Sequence, residues 1–315
     1  MMKPRFVLLS RLLMLIWLST PVDGHAKSKV SESGLFLVAT TTMVRDMVQA
    51  VAGEDARVEG LMGPGVDPHL YKPVASDMAK LRQADAVFYS GLLLEGKMEH
   101  LFKQMEKRSG HVYAITASLE ENDLLKPDEF SGHFDPHVWG DVALWIKCVP
   151  VVVKGLAVVA PEKAAVFRKN GEAYMKQLEA LDQWAKERAA QVPKANRILI
   201  TSHDAFNYFG KAYGFRVVAV QGISTVTEAG LGDMVKMVDF IKENKVRAIF
   251  VESSVNPAAI KRISEDAGVK VGGSLYSDAM GTPGRMHGNG AEQYDEGTFD
   301  GMIRHNVNTV VDALK

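Results

Sequence analysis

The run PEKAAVFRKNGEAYMKQLEALDQWAKERAAQV (Pro161–Val192) decides the architecture of this 315-residue chain. Phe167, Gly171, Tyr174, Leu178, Leu181 and Ala185 recur at alternating spacings of four and three, which makes one apolar stripe on a helix. Pro161 suits a helix's first turn, because its missing N–H has no partner there in any case. The spacing predicts a continuous helix of about 30 residues, roughly 45 Å long at 1.5 Å per residue. A helix of that length is a stiff connector, unlike a Gly/Ser linker.

On both sides of it, short β-rich runs alternate with helical spacing. Before it, Leu35–Thr40, Arg57–Met62, Ala86–Ser90 and Val112–Ile115 read as strands, with helical spacing at Met43–Val51 and Gly96–Lys107. After it, Arg197–Thr201, Phe215–Val220, Ala248–Glu252 and Val269–Gly272 read as strands. Ala205–Ala212, Leu231–Glu243, Pro257–Asp266 and Phe299–Leu314 read as helices. This alternation predicts an α/β fold of two lobes with parallel-type sheets. The expected division is an N-terminal lobe at 30–160, the connecting helix at 161–192 and a C-terminal lobe at 193–315. The glycine-rich stretch Gly281–Gly297 reads as a long surface loop.

Composition narrows the function. Lys and Arg number 37 against 38 Asp and Glu, and no run of five or six basic residues occurs. A nucleic-acid binder working through bulk charge is excluded. Residues 1–18 place Lys3, Arg5 and Arg11 among apolar residues, and Gly24-His25-Ala26 offers small residues at a cleavage position. Residues 1–26 therefore read as a secretory signal peptide. Its removal leaves 34 basic and 37 acidic side chains, a net charge of −3. No other stretch reads as long and apolar enough to cross a bilayer. Cys148 is the only cysteine, so no intramolecular disulfide forms and no cysteine near the leader's end is available to carry a lipid. The expectation is a soluble protein of the bacterial periplasm.

Chemistry concentrates in the nine histidines. Two occupy the same tripeptide, Asp67-Pro68-His69 and Asp135-Pro136-His137, where proline fixes its own φ and keeps the preceding Asp out of the helical region. His203 follows the strand at 197–201, and Asp278 follows the last strand of the second lobe. In open α/β sheets ligands bind beyond the carboxyl ends of strands. Glu252, at the end of Ala248–Glu252, competes with Asp278 on the same logic, and spacing does not choose between them. Three imidazoles and one carboxylate suit Zn²⁺, and also Mn²⁺ or Fe²⁺. No Gly-x-Ser-x-Gly, phosphate-binding Gly-rich loop or His-Glu-x-x-His is present, so nucleophilic or zinc-hydrolase catalysis has no motif to rest on.

At these residues the chain resembles the solute-binding proteins of bacterial ABC importers for zinc and manganese, the TroA-like family. The matching segments are Gly65–Tyr71, Phe134–Trp139, Thr201–Phe206 and Leu275–Gly281, with Phe250–Ser254 and Met302–Val307 also fitting, and the likeness covers the whole mature chain. It implies two α/β lobes joined by one long helix, with metal in the interlobe cleft. Carried over position by position, it implies His69 and His137 as ligands from the first lobe, His203 and Asp278 from the second, and a structural role for Glu252. It further implies a periplasmic carrier, no enzyme, that delivers its metal to a permease driven by a cytoplasmic ATPase; a monomer is expected. Manganese-restricted members often carry a carboxylate where this chain has His203. Zinc-specialised members often carry a His-rich loop where Glu120–Phe134 holds only His133, so zinc and manganese both stay open. The stretch 284–295 looks longer than usual for the family. A metal-dependent hydrolase on the same ligands is the alternative from another class, although a catalytic zinc usually keeps a position for water. A surface adhesin is a third.

Overall fold

The structure, a computed structural model, describes residues 34–315 apart from residues 55 and 131, so the leader read at 1–26 lies outside the described residues. In the first lobe, β1 (Leu35–Ala39), α1 (Thr42–Ala52), β2 (Ala56–Gly60), α2 (Ala75–Gln83), β3 (Ala86–Tyr89), α3 (Glu99–Ser109) and β4 (Val112–Ala114) alternate. Their sheet is parallel throughout, in the order β2-β1-β3-β4. Side chains of a strand point alternately to the two faces. In β1, Leu35, Leu37 and Ala39 enter the main core while Val38 enters a second cluster; in β3, Ala86 and Phe88 part from Val87 and Tyr89 in the same way. Both faces are buried, as parallel sheets require.

Next come α4 (Val142–Ile146), α5 (Val149–Val159) and α6 (Ala164–Ala189), the last preceded by a 3-10 turn at Pro161–Lys163. The expected connector is thus one unbroken helix of 26 residues. Its buried residues are the stripe read from the sequence, together with Ala189. Gly171 does not break it. A Cβ there would come 2.5 Å from a Val153 methyl, so glycine lets α6 lie close against α5.

The second lobe contains β5 (Ile198–Thr201), α7 (Asn207–Tyr213), β6 (Arg216–Ala219), α8 (Leu231–Glu243), β7 (Ala248–Glu252), α9 (Ala258–Ala267), β8 (Lys270–Leu275), β9 (Met286–His287), β10 (Tyr294–Asp295) and α10 (Phe299–Leu314). Strands β5–β6 and β7–β8 pair in parallel, and β5 lies against β7. Leu199, Ala248 and Phe250 join the same main core as the first lobe, while Ile200 and Ile249 face a third cluster. One apolar core therefore runs under both lobes, and α6 packs on α1, α4 and α5 on one side and on α7 and α10 on the other.

Two expectations need correction. Residues 142–159 do have the length and apolar composition to cross a bilayer. They form α4 and α5, however, and Val142, Trp145, Val149, Val152 and Leu156 are fully buried in the main core, so this is a core element. The stretch 281–297 is more than a surface loop. It contains the antiparallel pair β9–β10, and the side chain of Glu296 is buried beneath it, accepting from the Thr282 N–H at 3.1 Å and pairing with His287 at 2.6 Å.

Candidate metal centre

His69 lies on the loop after β2. Its backbone N–H donates to Asp67 Oδ1 at 2.8 Å, and the His137 N–H donates to Asp135 Oδ1 at 2.9 Å. The repeated Asp-Pro-His is therefore one device used twice: the Asp carboxylate caps the amide two residues on. His203 stands two residues past β5 and Asp278 three past β8, both at carboxyl ends of strands. The four side chains meet between the lobes, with a ligand atom from each within 4.8 Å of all the others. Ring centroids are 5.3 Å apart for His69–His137 and His137–His203, and 5.9 Å for His69–His203. His137, His203 and Asp278 are wholly buried, while His69 keeps partial exposure.

Orienting groups stand behind two of the imidazoles. His137 Nδ1 meets Asp135 Oδ1 at 2.7 Å and His203 Nδ1 meets Glu252 Oε2 at 2.5 Å, which turns both Nε2 atoms into the site. Glu252 Oε1 also accepts the His203 N–H at 2.8 Å. A carboxylate behind the far ring nitrogen is the usual support for a metal-binding histidine. Glu252 thus holds His203 from behind, whereas Asp278 faces it. Asp278 Oδ1 lies 3.4 Å from His137 Nε2, and Oδ2 lies 3.2 Å from His203 Nε2. Neither His203 Nε2 nor Asp278 Oδ1 has a hydrogen-bond partner. Buried polar atoms without partners are rare and call for a ligand or another explanation.

The electrostatics follow from this packing. Burial pushes the His69 imidazole down to about 3, with the other two imidazoles adding to the effect against Asp278. Burial also opposes the charged form of His137, but the carboxylates of Asp135 and Asp278 outweigh it and raise that group to about 9. His203, equally desolvated, is raised well above the ordinary imidazole value by Asp278 and Glu252. Asp278 is held well below the usual carboxylate range by His203 and His137, in spite of its burial. Asp278 thus favours the charged forms of the two imidazoles it faces, while burial opposes the charged form of His69.

The structure brings all four residues expected from the sequence together. Of the other described histidines, His287 pairs with Glu296, His305 contacts the Ser274 carbonyl at 2.9 Å and His133 packs on Phe130, all away from this cluster. Among the described residues no other group of three or more His, Cys, Asp or Glu side chains converges in this way. The orienting role of Asp135 was not read from the sequence, although its place two residues before His137 carried the signal.

A two-lobe α/β fold with a long helix and such a cluster in the cleft defines a metal-binding solute-binding protein. Residues 37–313 match the family described as "ZnuA: Zinc-uptake complex component A periplasmic", and the chain belongs to that family. It is 40% identical over 313 residues to the manganese-binding lipoprotein MntA of Bacillus subtilis, covering 98% of this chain and 99% of that one. It is also 40% identical over 294 residues to the zinc-binding protein TroA of Treponema pallidum, covering 92% of each. The solved structure of periplasmic TroA superposes with a TM-score of 0.83 at 39% identity, over 89% of this chain and 99% of that one. Other relatives, SsaB of Streptococcus sanguinis (29% identical) and SloC of Streptococcus mutans (28% identical), are named metal ABC transporter substrate-binding lipoproteins; the family serves transport and is not a family of enzymes.

Proposed function

We propose that His69, His137, His203 and Asp278 are the ligands of a divalent transition metal, zinc or manganese, which the chain captures outside the cell membrane and hands to a permease driven by a cytoplasmic ATPase. The observation that carries this reading is the convergence of four donors within 4.8 Å, with His203 Nε2 and Asp278 Oδ1 buried and making no hydrogen bond. A cation at that point would satisfy both. Three imidazoles and one carboxylate oxygen make a tetrahedral set suited to zinc. Both oxygens of Asp278 are turned toward imidazoles, so bidentate binding would raise the coordination number toward what manganese favours. That relatives are named for manganese and for zinc supports keeping both metals.

The working division stays 30–160, 161–192 and 193–315, with the leader at 1–26 directing the remainder to the periplasm as a monomer. Elemental analysis of protein purified without added metal, followed by competition between Zn²⁺ and Mn²⁺, tests the reading. One metal per chain, lost in His203→Ala, is the expected result.

A further inference from the structure

Hydrogen bonds that cross from lobe to lobe flank the proposed ligands. Beside His137, the Trp139 indole N–H donates to the Ser277 carbonyl at 2.9 Å, and the Tyr208 hydroxyl donates to the Asp135 carbonyl at 3.0 Å. Beside Asp278, the Met280 N–H donates to Thr42 Oγ1 at 2.8 Å. All six residues of these three bonds are buried. Beside His69 the crossing bond runs from the Thr225 hydroxyl to Asp67 Oδ2, at 2.6 Å.

That last bond differs in its surroundings. Asp67 and His69 are both partly exposed. Thr225 itself is buried, but it sits in residues 220–230, which join β6 to α8 without regular structure, and Val226, Thr227 and Glu228 after it are exposed. Opening any of the three interior bonds strands its groups away from water, which costs the full desolvation of a donor or acceptor. Opening the Thr225–Asp67 bond lets water reach the carboxylate. The solvent side of the site, where the most accessible of the four side chains stands, is therefore closed by a crossing bond that water can reach.

Asp67 links this closure to the ligand. Its Oδ1 takes the His69 backbone N–H at 2.8 Å while its Oδ2 takes the Thr225 hydroxyl, so one carboxylate fixes both the His69 turn and the segment across the cleft. Resting on the ligand assignment above, we propose that Thr225 is a positioning residue that latches the 220–230 segment over the metal through Asp67 and sets the rate at which the metal leaves.

The test uses full-length mature protein loaded with Zn²⁺ and mixed with an excess of a chromogenic chelator. Thr225→Val keeps the side-chain shape and removes the hydroxyl; Thr225→Ser keeps the hydroxyl. Zinc release from Thr225→Val is expected about tenfold faster than from wild type, equivalent to about 1.4 kcal/mol. Thr225→Ser should release within twofold of wild type, and the metal-free melting temperatures of both variants should match wild type. A Thr225→Val rate less than threefold above wild type, or a Thr225→Ser rate as fast as Thr225→Val, would overturn the latch. A measurement without variants runs beside it: amide exchange across residues 220–230 should slow when zinc is bound, and equal exchange in both forms would equally overturn it. His203→Ala in the same assay separates the two readings. Wild-type zinc retention by that variant removes the ligand assignment, whereas its loss of zinc beside an unaltered Thr225→Val removes only the latch.

Discussion

Metal binding at pH 8 should expel about two protons, and the number can be worked from the site. Three ordinary imidazoles near 6.5 would be almost fully neutral at pH 8 and would together release only about 0.1 proton. Here His137 is raised to about 9 and His203 well above its ordinary value, so a proton on each is the expected state of the metal-free site at pH 8. His69, pushed down to about 3, carries none. Coordination requires neutral imidazole, so binding displaces both protons. The bound state holds fewer protons, so affinity rises with pH. With two protons exchanged, the gain is about a hundredfold per pH unit, or about 2.7 kcal/mol, up to pH 8. It flattens as pH passes through the raised value of His137. Calorimetric titration with Zn²⁺ at pH 8, in buffers of different ionisation enthalpy, reads the proton count as a slope. Fewer than one proton per metal would refute the proposed coupling of His137 and His203 to Asp278.

Further expectations follow from the same contacts. Replacing His69, His137, His203 or Asp278 singly with Ala should weaken metal binding at least tenfold, about 1.4 kcal/mol, by direct titration; an Asp278→Ala protein of unchanged affinity would remove that ligand. Glu252→Gln, which acts through His203, should cost roughly ten- to a hundredfold in the same titration, the usual effect of losing an outer-shell carboxylate. Metal at about a thousand times its dissociation constant should stabilise the fold by about 4 kcal/mol, seen as a melting temperature that falls on adding EDTA and that responds far less in His203→Ala. Gly301→Ala would place a Cβ 1.7 Å from the Asp295 carbonyl oxygen, and the urea midpoint should drop by the equivalent of roughly 3 kcal/mol, because backbone cannot rotate out of the way.

Much of this was legible in the sequence because it depends on periodicity and on strand ends. The stripe from Phe167 to Ala185 appears in the buried face of α6, and β7 occupies the residues its apolar run marked. What the sequence hid has physical causes. Helix α2 buries only Asp77 and Leu81, so it lacks an apolar stripe. Strand β8 runs on to Leu275 through Gly273, past Gly272, where the sequence reading ended it. They are glycines for packing reasons, since a Cβ at Gly272 would come 2.7 Å from Ala313 and one at Gly273 would come 2.4 Å from Thr309. Rank among carboxylates was also hidden. Glu252 and Asp278 both follow strands, and only the folded geometry shows that one lies behind His203 and the other in front of it. The Thr225 contact joins residues 158 apart in an unstructured segment, and no local pattern announces it.

Proton exchange explains how a cleft with so little freedom can still load and unload. The main core is continuous across the lobes, α6 packs on helices of both, and buried hydrogen bonds tie the lobes together at His137 and Asp278. A rigid site without its cation would leave buried polar atoms uncompensated, at about 1–3 kcal/mol each. Asp278 eases that cost by favouring the charged forms of His137 and His203, each of which faces one of its oxygens. Where binding displaces two protons, as expected above, the charge of the divalent cation replaces theirs and the net charge of the interior is unchanged. The lobes then have no electrostatic reason to part when the metal leaves. Opening can stay local, on the side where His69 meets water, while the buried framework behind His137 and His203 holds its geometry for the next ion.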